Sequence, residues 1–174
     1  MTKSFFISIL ILFSFTIIES SILSNINFLI VVPDLLMICC IYFSLLNGKL
    51  YGETTGFFSG LFLDFITGTP LGFNTIYRTI LGYLFGFFSK SVIISGIIMP
   101  VLSVGIGTLL KRLLIILLSI LYPKLNLSIY GFVSNEFLFE FISNIVMAPV
   151  IFKFLSLFKK SLTIVHTKDL VDNV

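Results

Sequence analysis

The chain has no tryptophan, a single histidine and two cysteines among 174 residues. Each scarcity closes off a line of chemistry. His166 stands in the polar C-terminal stretch, so no imidazole is available within the apolar body as a general base or metal ligand. Cys39 and Cys40 are adjacent, and neighbours on a helix point apart, so they read as small hydrophobes and not as a disulfide. There is no phosphate loop and no cysteine metal cluster, and Gly56-Phe-Phe-Ser59-Gly60 spaces its serine wrongly for a nucleophile elbow. Catalytic residues, metal, cofactor and nucleic-acid partner are therefore all assigned as none. An enzyme is not expected.

Charge is scarce as well. Only 11% of residues are charged, against about a quarter in soluble domains. Hydrophobic residues make up 57% and phenylalanine alone contributes 21. A soluble protein of this size could not cover such a surface. The composition identifies an all-α integral membrane protein.

Apolar runs divide residues 1–160 into six predicted spans, at about 4–24, 28–46, 52–67, 71–89, 93–122 and 136–158. Each is close to the ~20 residues that carry a helix across the hydrocarbon core, the fifth reading as one long or tilted helix. Residues 161–174 form a short polar tail, and Pro123–Asn135 the longest loop. With the N-terminus in the cytoplasm, Lys3, Lys49, Lys90, Lys159, Lys160 and Lys168 fall on the cytoplasmic side and Lys124 outside. Both termini are then cytoplasmic, as an even number of spans demands. A signal-peptide reading of the first run competes, but no Ala-x-Ala-like cleavage site follows it. Pro33 falls near a helix start, while Pro100 is expected to kink the fifth span and Pro149 to bend the sixth.

Glycines recur at 52, 56, 60, 68 and 72, with Asp64 in the slot that the four-residue rhythm skips. A step of four advances about 40° around a helix, so Gly52, Gly56, Gly60 and Asp64 form one slowly winding stripe. In lipid, helices associate by close packing over small residues. The stripe is therefore a contact face, either for another helix of this chain or for a partner's. Gly68, Pro70 and Gly72 form the turn into the fourth span. A charge deep in the bilayer costs ~2.5–3.5 kcal/mol on insertion scales. Asp64 and Arg78 lie at matching depth on consecutive antiparallel helices and are expected to pair. Glu19, Asp34, Lys111, Arg112, Glu136 and Glu140 also fall in the outer half of the spans; Glu53 and Lys153 lie near the cytoplasm. Any one of them fits structural pairing or snorkelling. Together they point to a polar pocket or docking surface open to the outside.

Pro33-Asp-Leu-Leu, a tyrosine-bearing second span, Gly52-x-x-x-Gly56-Phe57-x-x-Gly60-Leu61-x-x-Asp64, Gly68-x-x-Leu71-Gly72 and Gly82-Tyr-Leu follow one another over residues 33–86. This ordered set resembles the MreD family, small inner-membrane proteins that determine rod shape in bacteria. The resemblance implies a non-enzymatic scaffold of the peptidoglycan elongation machinery, working with MreC and through it with MreB, RodA and a class B penicillin-binding transpeptidase. It also implies a likeness to the six-helix S components of energy-coupling vitamin transporters. A solute-binding transport component with an outward pocket is thus the alternative function. The pair Lys111–Arg112 is not part of the family pattern.

Overall fold

Asp34 decides where the second helix begins. Its side chain accepts a hydrogen bond from the Met37 N–H at 2.8 Å, capping the first turn, with Pro33 just ahead of it. The computed structural model describes residues 2–22, 32–89, 96–121 and 134–164. Within them the chain forms α1 (Thr2–Ile17, continued by a π-helical turn Ile18–Ile22), α2 (Leu35–Asn47), α3 (Lys49–Thr67), α4 (Phe73–Phe87), α5 (Ile98–Leu121), α6 (Asn135–Leu157) and a final turn α7 (Lys159–Leu162). The expected connections at 25–27 and 90–91, most of the loop at 123–135, and His166, Lys90, Lys124 and Lys168 lie outside the described residues.

Side-chain register fixes the helix directions. Phe5 meets Tyr51 and Phe58 while Phe13 meets Phe62, so α1 and α3 run parallel. Gly52 faces Gly82, Gly56 faces Arg78 and Gly60 faces Thr75, so α3 and α4 run antiparallel. Asp34 meets Asn144 and Tyr42 meets Phe152, so α2 and α6 run parallel. Thr108 meets Asn144 and Lys111 meets Glu140, so α5 opposes α6. With α2 and α3 reversing at Gly48, α1 to α6 alternate in direction.

Lengths differ more than the apolar runs suggest. The segments Lys3–Ser21, Ile98–Ile120 and Asn135–Leu157 are long and apolar enough to cross a membrane unaided. Helix α2 has 13 residues and α4 has 15, only ~20–23 Å of helix against a core of ~30 Å. Helix α3 reaches 19 residues but includes Lys49, Glu53 and Asp64. The shortness of α2 follows from its place. Every residue from Leu35 to Leu45 is buried, so the other helices enclose it and it presents no lipid face. Pro100 is the third residue of α5, where its missing N–H costs nothing, so the expected kink is not required. Pro149 lies inside α6, which continues past it.

The bundle is apolar on its outer surface and encloses polar side chains within an otherwise apolar core. Phe6, Leu10, Phe13 and Ile17 on α1 are exposed, as are Leu102, Ile106, Leu109, Leu113, Leu117 and Ile120 on α5. Ser8, Thr55, Ser59, Asn74, Thr108 and Asn144 are buried. Exposed apolar faces with polar groups turned inward suit a lipid surround, where a polar group must find its partner internally.

Residues 161–164, the described part of the polar tail expected at 161–174, pack against the bundle. The Asn47 side chain donates to the Leu162 carbonyl at 3.0 Å and accepts from the Ile164 N–H at 2.9 Å, while the Ser4 hydroxyl donates to the Thr163 carbonyl at 3.3 Å. Leu162 and Ile164 are buried beneath them. The start of α1, the α2–α3 junction and residues 162–164 therefore share one end of the bundle. Asn47→Ala removes both partners at once, and each lost hydrogen bond is worth ~1 kcal/mol. We expect trypsin to cut after Lys159 and Lys160 several-fold faster in this variant; an unchanged rate would show that the amide does not hold the segment.

Candidate functional site

Asp34 is the centre of the charged groups. Its Oδ1 accepts from Arg78 Nη2 of α4 at 2.8 Å and its Oδ2 from Lys111 Nζ of α5 at 2.6 Å. Lys111 Nζ also reaches Glu140 Oε1 of α6 at 2.6 Å. Arg78, Asp34, Lys111 and Glu140 thus form one chain of ion pairs joining four helices. Neutral groups complete it. Asn144 Oδ1 accepts from the Asp34 N–H at 2.8 Å, and its Nδ2 donates to the Thr108 hydroxyl at 3.2 Å. Glu19, carried by the π-helical turn, accepts from the Leu36 N–H at 3.2 Å. Two carboxylates therefore face the start of α2, the positive end of its dipole.

Removal from water is severe here: Arg78 is 1% exposed and Asp34 3%. A buried pair roughly recovers its desolvation cost only when its remaining hydrogen bonds are made, whereas stripping one partner leaves an uncompensated charge. Asp34 meets that condition. Arg78 does so incompletely, since Nε and Nη1 have no hydrogen-bond partner among the described residues.

Asp64 and Arg78, expected to pair, do not. Asp64 instead accepts from the N–H groups of Gly72 and Asn74, each at 2.9 Å, and of Thr75 at 3.3 Å. It also takes the Asn74 amide at 2.9 Å and the hydroxyls of Thr75 at 2.7 Å and Thr69 at 3.0 Å. Gly72, at φ 101°, has no side chain with which to cap α4, so the carboxylate of the preceding helix does it. Gly68, at φ 66°, closes α3 in the left-handed conformation, and the Pro70 carbonyl accepts from the Phe73 N–H at 3.0 Å. Asp64 spends its bonds on this turn, and Arg78, one turn further along α4, reaches across to α2.

The glycine stripe is buried between α3 and α4. A Cβ on Gly52 would meet Gly82 O, one on Gly56 the Arg78 carbonyl and one on Gly60 Thr75 Cα, all closer than 3.0 Å and all backbone. Gly82 and Gly86 are the matching positions on α4. Of the two readings left open by the sequence, contact within the chain is the one observed.

Arg112 places its guanidinium 5.5 Å from the Phe137 ring centroid. Of the charges expected to form a polar pocket or docking surface open to the outside, Asp34, Arg78, Lys111 and Glu140 pair with one another within the bundle, whereas Glu136 is exposed. Sequence reasoning missed Asn144, Thr108, Asn74 and Thr75. Their signal was present, since an uncharged amide or hydroxyl inside a span needs a partner as a charge does.

The sequence profile of the family described as rod shape-determining protein MreD matches residues 1–158. The chain belongs to the MreD family. It is accordingly a membrane protein with a role in rod shape determination. The MreD match takes in α1 to α6, hence every residue of the ion-pair chain, and stops just before α7. No curated protein and no solved structure matches the chain.

Loss of the α4 cap gives a direct check. Asp64→Ala should destabilise the bundle by ~1–2 kcal/mol, as a lost cap does, and Arg78→Ala should add its own cost independently. Thermal unfolding in detergent reads both. Rescue by the charge-swapped pair of Asp64→Arg with Arg78→Asp would restore the pairing that the geometry rejects.

Proposed function

We propose that this chain is a non-enzymatic scaffold of the peptidoglycan elongation machinery in the bacterial inner membrane. It crosses six times, with both termini cytoplasmic, and binds an MreC-like protein that connects it to MreB, RodA and a class B penicillin-binding protein. The observation that carries the reading is the use of the buried charges. Asp34 holds one cation from α4 and one from α5, and Lys111 passes the link on to α6, so the ionisable groups fasten helices to each other. Six alternating helices, with both described ends of the chain at one end of the bundle, support the crossing count. The short α2 fits within it because protein, and not lipid, surrounds that helix. The same arrangement is what a likeness to transporter S components would require, without implying a ligand.

With Gly52, Gly56 and Gly60 filled by α4, the partner's helix is assigned to the outward apolar faces. A photocrosslinking residue at Phe57, Ile80, Leu113 or Val146, in cells that co-express a tagged MreC-like protein, should capture that protein from at least one position. The same residue at Gly56 should not. Capture from none of the outward positions would remove the scaffold reading.

A further inference from the structure

Helices α5 and α6 touch where Gly105 faces Ile145 and Phe141, a Cβ there meeting their side chains at 3.8–3.9 Å. Toward the end of the bundle where α1 starts and α7 lies, they no longer fill the space between them. Pro100 on one side and Pro149 on the other face a cleft of about 490 Å³, lined also by Ile97, Val150, Lys153 and Ser156. Ile97 and Val150 are exposed, so the cleft opens sideways onto the apolar surface. Lys153 is exposed at its lip and makes no ion pair among the described residues. It sits four residues before the end of α6 at Leu157, ~6 Å along the axis, within reach of the headgroup level for a long side chain.

We propose that this cleft holds one anionic phospholipid of the leaflet next to α7, its phosphate on the Lys153 ammonium and an acyl chain along Ile97, Pro100 and Val150. The unpaired cation selects an anion, and the apolar walls select the one anion in its surroundings that carries a hydrocarbon tail. A free phosphate would satisfy Lys153 and leave the groove unfilled. Equating this leaflet with the cytoplasmic one rests on the orientation proposed above; the binding does not, and mapping the termini tests the orientation separately.

Native mass spectrometry of the full chain, released from mixed micelles of detergent with phosphatidylglycerol or phosphatidylcholine, tests it. Wild type should retain one phosphatidylglycerol in preference to phosphatidylcholine. Lys153→Gln should reduce phosphatidylglycerol occupancy about fivefold, the weight of one basic residue at a membrane surface. Ile97→Trp, which fills the groove at an exposed position, should reduce retention of either lipid. Lys160→Gln, on the exposed turn α7, should change nothing, and inorganic phosphate should not displace the lipid. Equal retention of the two lipids by wild type, or undiminished phosphatidylglycerol on Lys153→Gln, would overturn the proposal. So would an equal loss on Lys160→Gln, which would reduce the effect to a general basic surface.

Discussion

Asp34→Ala is expected to abolish most folded protein. The substitution leaves Arg78 and Lys111 as buried cations without their shared carboxylate, and breaking a buried pair in this way costs ~3–5 kcal/mol. It also removes the cap at Met37, which adds ~1 kcal/mol. Asp34→Asn keeps an acceptor for the Met37 N–H but not the charge, so it should fall between alanine and wild type. The recovery of monodisperse protein in mild detergent, followed by thermal unfolding, measures both. Wild-type yield and stability in Asp34→Ala would mean that the ion pairs do not hold the bundle together.

Gly56→Leu is the second large effect. The clash is with the backbone at Arg78 and Thr79, which cannot rotate away as the tip of a side chain can. Helices α3 and α4 must move apart, taking the Asp64 cap and the Arg78 side chain with them. Even Gly56→Ala should cost about 1–3 kcal/mol by overpacking. Gly105→Ala is the control, because its Cβ would meet only side-chain atoms at ordinary contact distance. Loss of an MreC-like partner in Gly56→Leu should therefore accompany loss of folded protein. A Gly56→Leu protein that stays folded and yet releases the partner would make the stripe a docking face after all.

Much of this was legible in the residues. Scarce charge and apolar runs gave the membrane class and most helix ends to within a few residues, and the fragments between 33 and 86 pointed to the family that the 1–158 match establishes. Hydropathy failed at the second span because it reports burial, and the start of α2 is set by the Pro33–Asp34 cap, not by where apolar residues stop. Depth along a helix predicted that charges would gather at one level, and Asp34, Arg78, Lys111 and Glu140 do. Depth gives height without direction, however. Arg78 had several carboxylates near its level, and only the close approach of α3 and α4 over their glycines commits Asp64 to the turn. The hold of Asn47 on residues 162 and 164 had no signal in sequence, because it depends on two chain segments over a hundred residues apart meeting at one end of the bundle.

A pair of double-mutant cycles tests the account at its centre, using unfolding free energies in mixed micelles. Asp34→Leu and Arg78→Leu should each destabilise severely, and their combination should cost less than the sum by more than about 1 kcal/mol, as expected for residues in direct contact. The Asp64→Leu and Arg78→Leu cycle should be additive within about 0.5 kcal/mol. Additivity in the first cycle, or strong coupling confined to the second, would contradict a bundle fastened from within by Asp34.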